Sequence, residues 1–189
     1  MPTNKIERTM ANIKYKLEFF SYWHCGSGLA KGADVDQLVV KDEYGLPFVP
    51  GKTIKGLIRE AAETINDLCE MKYDTDVIFG KCDNVGSTQG VSFFSNAEFP
   101  ESDKLTIINE ELKMYLFDSV SSTAIGDDGI AKEHSLRKTE VALPCILTGY
   151  VLNVPEDGIE LIKNSFRFIK RLGENRNRGL GRCEFTIIE

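Results

Sequence analysis

The chain has 189 residues, of which 42% are hydrophobic and 28% charged, so it can bury one ordinary core, and one domain or one domain with a large insertion is expected. Its net charge of −6 argues against a uniformly basic nucleic-acid binder, although such binding requires only a local basic stripe. No secretory leader opens the chain and no apolar run approaches a membrane span, so no membrane partner and a cytoplasmic location are expected.

Met1 to Asn12 is polar and reads as a frayed start. Ile13, Tyr15, Leu17 and Phe19 then alternate with Lys14, Lys16 and Glu18, which is the period of a half-buried strand. The strand exits through Ser21-Tyr-Trp-His-Cys-Gly-Ser-Gly28. There Tyr22 and Trp23 either stack on bases or plug the edge of the core. A long loop follows from Lys31 to Pro50, with a possible short strand at Leu38-Val39-Val40 and a turn over Asp42 to Gly45. The five cysteines, Cys25, Cys69, Cys82, Cys145 and Cys183, are odd in number and widely spaced, so reduced thiols are expected. His24-Cys25 with Cys69 and Cys82 matches no standard zinc spacing, and zinc is not expected.

Gly51-Lys52-Thr53 superficially suggests a nucleotide-binding loop. That motif needs a glycine where Leu46 stands, and Pro47 and Pro50 remove backbone N–H groups from the loop. Instead Thr53 to Cys69 reads as an amphipathic helix, with Ile54, Leu57, Ile58, Ala61, Ile65 and Leu68 on one face. Lys52, Lys55 and Arg59 share a flank at its start. Cations there oppose the helix dipole, which an anion over the N-terminus would offset; ordinary solvated side chains are the alternative.

Glu70 to Gly90 is a mixed polar segment, and Val91 to Phe99 reads as the second strand. Pro100 to Pro144 is a long excursion, with a strand from Met114 to Ala124, a turn at Gly126-Asp-Asp-Gly129 and a return arm carrying Lys132, Arg137 and Lys138. Cys145 to Val154 is an apolar, buried strand. Pro155-Glu-Asp opens a helix whose stripe is Ile159, Ile162, Phe166 and Ile169, and Cys183 to Ile188 is the last strand.

Between that helix and the last strand lies Arg171-Leu-Gly-Glu-Asn-Arg-Asn-Arg-Gly-Leu-Gly-Arg182. From Lys163 to Arg182 there are seven basic residues and one acid, Glu174, so charge is polarised along the chain. Glycines bring backbone N–H groups close to a ligand, and arginine forks suit phosphate. A helix cap and tight turn with solvated arginines is the alternative. Without the excursion, the order is strand, helix, strand, strand, helix, strand. That is an α+β, ferredoxin-like (RRM-like) βαββαβ core, with a long insertion between the second and third core strands. One domain over residues 1–189 is expected, with the core at about 12–99 and 144–189 and the inserted arm at about 100–143.

Four stretches carry a resemblance to one family. Pro50-Gly-Lys-Thr-Ile-Lys-Gly-Leu-Ile-Arg59 is similar to the proline-glycine entry to the first helix of RAMP-superfamily proteins of CRISPR systems. Ser95-Asn96-Ala97, within Val91 to Phe99, stands where that family has Ser-Asp-Ala. Ile125 to Val141 resembles its arm, and Asn175-Arg-Asn-Arg-Gly-Leu-Gly-Arg182 resembles its C-terminal glycine-rich loop. Within the superfamily the chain most resembles the repeating backbone subunit of type III interference complexes.

That resemblance implies a subunit that coats crRNA, displays it to target RNA, and packs against copies of itself in a filament and against other CRISPR effector subunits. It implies guide contacts from Lys52, Lys55, Arg59, Arg137, Lys138, Gly173, Arg176, Arg178, Gly179, Gly181 and Arg182. In the family, the target-cleaving aspartate follows the first strand. Val35-Asp-Gln-Leu-Val-Val-Lys-Asp42 is similar to its context, with Leu38 where proline is usual, so Asp36 takes the catalytic and metal-binding place and Asp34 is the rival. The implied chemistry is attack by a ribose 2′-hydroxyl on the adjacent phosphorus beside Mg2+ or another divalent metal. A non-cleaving RNA-binding scaffold is one alternative. A metal-independent crRNA-processing endoribonuclease using His24 or His134 is another.

Overall fold

The computed structural model describes residues 9–31, 35–69, 72–83 and 86–188. Its elements are β1 (Met10–Phe19), α1 (Gly51–Leu68), α2 (Thr75–Phe79), β2 (Gly80–Asp83), β3 (Gly86–Gln89), β4 (Phe93–Phe94), α3 (Glu101–Asn109), β5 (Phe117–Ser122), β6 (Arg137–Ala142), β7 (Ile146–Pro155), α4 (Ile159–Phe168) and β8 (Cys183–Ile188). Short 3-10 helices occupy Leu112–Leu116, Glu156–Gly158 and Arg176–Arg178.

The alternation in β1 makes a two-faced strand. Ile13, Tyr15, Leu17 and Phe19 are buried, and the residues between them point away from the core. β1 is the centre of the main sheet because it pairs antiparallel with β7 on one side and β8 on the other. β4 pairs with β7, giving the order β4-β7-β1-β8. This is the strand arrangement of the expected ferredoxin-like fold, with β1, β4, β7 and β8 as its four core strands. The buried stripes of α1 (Ile54, Ile58, Ala61, Ala62) and α4 (Leu161, Ile162, Phe166) join the inner face of the sheet in one core. Leu68, placed on the α1 stripe by spacing, is exposed at the helix end. On the opposite face of the sheet, Lys14 lies beside Tyr150, and Tyr150 and Phe93 are exposed.

Aromatic rings fill the centre. Tyr15 packs at 5.1 Å from Phe166 and 5.4 Å from Phe185, while Phe166 and Phe185 stack at 4.9 Å. Trp23 plugs the core edge: it stacks on Phe19 at 4.5 Å and donates from Nε1 to the Leu143 carbonyl at 3.0 Å. Tyr22 stays at the surface, donating to Asp118 at 3.1 Å.

Gly149 faces Tyr15 across the β1–β7 ladder, and a Cβ there would lie 2.3 Å from the Tyr15 hydroxyl. Gly149→Ala is therefore expected to lower stability by about 2 kcal/mol through overpacking, as read by thermal unfolding. An unchanged midpoint would contradict this packing.

The second core strand departs from the expected Val91–Phe99. Only Phe93–Phe94 is regular strand. Phe94 faces Val151, whereas Glu98 next pairs with Thr148, so four steps on one strand meet three on the other and one residue bulges out. The bulge serves the helix. Asn96 Oδ1 accepts the Gly51 N–H at 2.9 Å, and so caps the first residue of α1 from a neighbouring strand. This fixes the helix start at Gly51 instead of Thr53. A Cβ at Gly51 would meet the Phe94 carbonyl oxygen at 2.2 Å, so only glycine permits the approach.

The polar segment before β4 holds α2 and the β2–β3 hairpin, and the excursion opens with α3, none of which the periodicity reveals. Leu112–Leu116 forms a 3-10 turn after Glu111, whose φ is +54°, so β5 starts at Phe117 rather than Met114. β5 and β6 then form the antiparallel arm. Among the described residues, no helix is long and apolar enough to cross a membrane.

Candidate nucleic-acid interface

Three pieces of chain converge beside the N-terminus of α1. They are the β1 exit at His24–Gly26, the first turns of α1, and the glycine-arginine loop. Together they wall a cleft of about 390 Å³ whose lining includes His24, Gly26, Lys52, Gly173, Glu174 and Arg176. The Arg171–Arg182 bridge closes the neck of the loop. Backbone bonds dock it onto the β1 exit: Gly181 N–H to the Tyr22 carbonyl at 2.7 Å and Glu174 N–H to the His24 carbonyl at 2.9 Å.

The three loop glycines differ in what they do. At Gly173 (φ +97°) a Cβ would sit 2.4 Å from the His24 carbonyl oxygen, and at Gly181 (φ +69°) 1.8 Å from that of Leu172. Both are needed for the loop to close on the protein itself. Gly179 (φ +97°) has no atom within 4 Å of that position, so its backbone faces open space.

The basic residues divide similarly. Lys52 lines the cleft, and Lys52, Lys55 and Arg178 make no ion pair among the described residues. α1 has no acid in its first turn and no side-chain cap from Pro50, so the positive end of its dipole meets added positive charge. Arg176 reaches across to Glu60 on α1 at 3.3 Å, with 41% of its side chain exposed. Arg171 donates to the Arg176 carbonyl at 3.2 Å, and Arg182 lies 5.8 Å from the centre of the Phe20 ring. Arg59 is engaged internally: it donates to the Gly80 carbonyl, lies 3.8 Å from Glu63 and covers the Phe79 ring. Its guanidinium ties α1 to α2 and β2. Arg178 and Gly179 belong to the loop but not to the cleft wall.

Arg137, Lys138 and Asp36 form a second locus, on the arm. Asp36 Oδ2 accepts the Lys138 N–H at 2.7 Å, and the Asp36 N–H donates to the Lys138 carbonyl at 2.8 Å. Gln37 bridges to Thr139, Val39 N–H donates to Glu140 Oε2 at 3.0 Å, and Lys41 pairs with Glu140 at 2.9 Å. The segment from Asp36 to Lys41 is thus fastened along β6. Asp36 stays exposed, and its Oδ1 has no hydrogen-bond partner among the described residues. Asp34 lies outside the described residues. No three His, Cys, Asp or Glu side chains gather among the described residues, so a cation at Asp36 would take its remaining ligands from RNA phosphates and water.

His24 matters more than the sequence suggests. It is fully buried, and its Nδ1 lies 2.6 Å from the Glu140 carbonyl oxygen. Its Nε2 has no hydrogen-bond partner among the described residues. The glycine-rich stretch just after it was the available signal. Next to it, burial pushes the Cys25 thiol up to about 12, with the Glu174 carboxylate adding to the effect.

The family model of the RAMP superfamily matches residues 16–184. A search of curated proteins gives no match. Among solved structures, the chain is similar to a chain in the cryo-EM structure of the Type III-B Cmr-beta bound to cognate target RNA. The TM-score is 0.73 at 13% identity, over 94% of this chain and 98% of that one. It is also similar to a chain of Type III-B Cmr-beta in the apo state, with a TM-score of 0.66 at 13% identity, over 94% and 97% of the two chains. At such identity these neighbours establish the fold alone. The family match runs from within β1 to the start of β8 and takes in every part of the cleft, and on that ground the chain belongs to the RAMP superfamily.

Proposed function

We propose that this chain is a guide-RNA-binding backbone subunit of a type III CRISPR effector complex. One observation carries this reading: the N-terminus of α1, which has no acid in its first turn and carries Lys52 there, faces a glycine-arginine loop across a cleft. An unneutralised dipole end beside cations and close-approaching backbone suits the phosphates of a nucleic-acid strand. Its similarity to a chain of a Cmr-beta complex bound to target RNA supports the same reading, as do the exposed Arg137 and Lys138 on the arm. Copies of the chain stacked along the guide, with other effector subunits beside them, complete the proposal.

Lys52→Ala with Arg178→Ala is expected to weaken single-stranded RNA binding about tenfold at moderate salt. The slope of log affinity against log salt should fall by about two, one for each lost phosphate contact. Unchanged affinity and slope would remove the basis of the proposal.

Target cleavage belongs to the proposal through Asp36. Its free Oδ1, exposed on a segment held rigid by β6, fits a divalent cation completed by RNA phosphate oxygens. When bound, such an ion would neutralise charge at the scissile phosphate. The protein's own contribution is to hold the carboxylate in place through the Lys138 N–H on its other oxygen, Oδ2. The same hydrogen bond gives weight to a second reading, in which Asp36 only fastens the loop to the arm and the subunit is a non-cleaving scaffold.

A further inference from the structure

Among the described residues, Arg176 is the one arginine of the glycine-arginine loop that meets a carboxylate. Its Nη2 lies 3.3 Å from Glu60 Oε1. Glu60 stands on the same wall of the cleft as Lys52, about two turns further along α1. The wall thus runs from a free cation to an acid that already occupies a cation. The other acid of the cleft, Glu174, makes no ion pair among the described residues, so Glu60 alone takes an arginine out of use.

The contact is built to open. The backbone of Arg176 is held: its carbonyl accepts from Arg171 Nη1 at 3.2 Å, and the Arg178 N–H to Asn175 carbonyl bond at 2.8 Å closes the turn around it. Its side chain is not held in this way. The two side chains are 41% and 62% exposed, so water screens their attraction and the pair is weak. The guanidinium also stands on a border. Leu57, Glu60 and Arg176 line both the cleft and a second hollow of about 330 Å³ beside Phe168 and Lys170, which gives the arginine room to swing. A phosphate offers the planar fork two oxygens at once, which a single carboxylate oxygen at 3.3 Å does not match.

We propose that Glu60 is an autoinhibitory residue of the cleft: its carboxylate occupies Arg176 in the free chain, and a phosphate of the bound strand takes its place. This rests on the RNA-binding reading above. The exchange costs affinity, so loosening the hold of Glu60 tightens binding.

The test measures binding of the full chain to a single-stranded uridine oligomer at moderate salt, by fluorescence anisotropy. Glu60→Gln removes the competing charge and is expected to tighten binding about threefold, the worth of an exposed ion pair. Glu60→Asp separates occupation of Arg176 from simple repulsion. It keeps the charge but is one methylene shorter, so its reach to Arg176 is lost, and binding is expected to tighten about twofold. Both changes fall on an exposed side chain, so the fold is retained. Unchanged or weaker binding in either variant would overturn the inference, and a gain confined to Glu60→Gln would make the residue a repelling charge and nothing more. Each of these results leaves the RNA-binding reading intact. If the unaltered chain does not bind the oligomer, both fall.

Discussion

Replacing Gly181 by alanine is expected to lower stability by about 3 kcal/mol or more and to abolish RNA binding with it. The added Cβ would fall 1.8 Å from the Leu172 carbonyl oxygen, at a residue whose φ is +69°. That oxygen belongs to the backbone and cannot swing aside, so the neck of the loop must open. With it go the Leu172 N–H to Gly181 carbonyl bond at 2.9 Å and the Gly181 N–H to Tyr22 carbonyl bond at 2.7 Å. Gly179→Ala provides the contrast. Its φ of +97° is left-handed too, but its Cβ would meet nothing within 4 Å. Only the left-handed backbone is then penalised, at about 1 kcal/mol. Urea unfolding of the two variants separates the cases, and equal losses would contradict the division of the loop into closing and open glycines.

The second large effect concerns Asp36. In an assembled complex, Asp36→Asn is expected to reduce target cleavage about a hundredfold or more while leaving guide retention unchanged. Asparagine is the informative substitution because the proposal gives the carboxylate two tasks. Its amide oxygen can still accept the Lys138 N–H, so the fastening to β6 survives while the charge disappears. Asp36→Ala removes both, and is expected to loosen the loop as well. Cleavage that persists in Asp36→Asn and fails in Asp36→Ala would assign the residue to fastening, and the subunit to scaffolding.

How much could be read beforehand depended on the range of the cause. β1, α4 and β8 were legible because their signal is local: the alternation of Ile13 to Phe19, the Ile162–Phe166 stripe, and the apolar residues Cys183, Phe185 and Ile187 alternating after Arg182. The break in the second core strand was not legible. Val91 to Phe99 looks continuous, and the bulge exists so that Asn96 can cap a helix beginning 45 positions earlier. α3 escaped notice because its apolar residues follow no helical stripe and only Ile107 is buried.

The site divides in the same way. The basic character of Lys52 and Arg176 was evident from composition, and the structure sets both around one cleft. Arg59 looked equivalent to Lys52 and Lys55 by spacing, yet it spends its guanidinium on the Gly80 carbonyl. No sequence pattern encodes an acceptor on a remote backbone. Gly173 and Gly181 read as ligand-facing, but their freedom is used in closing the loop. His24 stood in the sequence as a candidate base of the processing alternative; it is a packed core residue, and among the described residues only one of its two nitrogens has a partner.

RNA is expected to lie in the cleft between α1 and the glycine-arginine loop, and not across the open face of the sheet. Photo-crosslinking of the full chain to thiouridine-substituted single-stranded RNA, with the attached peptides identified by mass spectrometry, tests it most directly. Crosslinks are expected in the segments around Lys52 and from Gly173 to Arg182. Crosslinks confined to β4 and β7, where Phe93 and Tyr150 stand exposed, would contradict it.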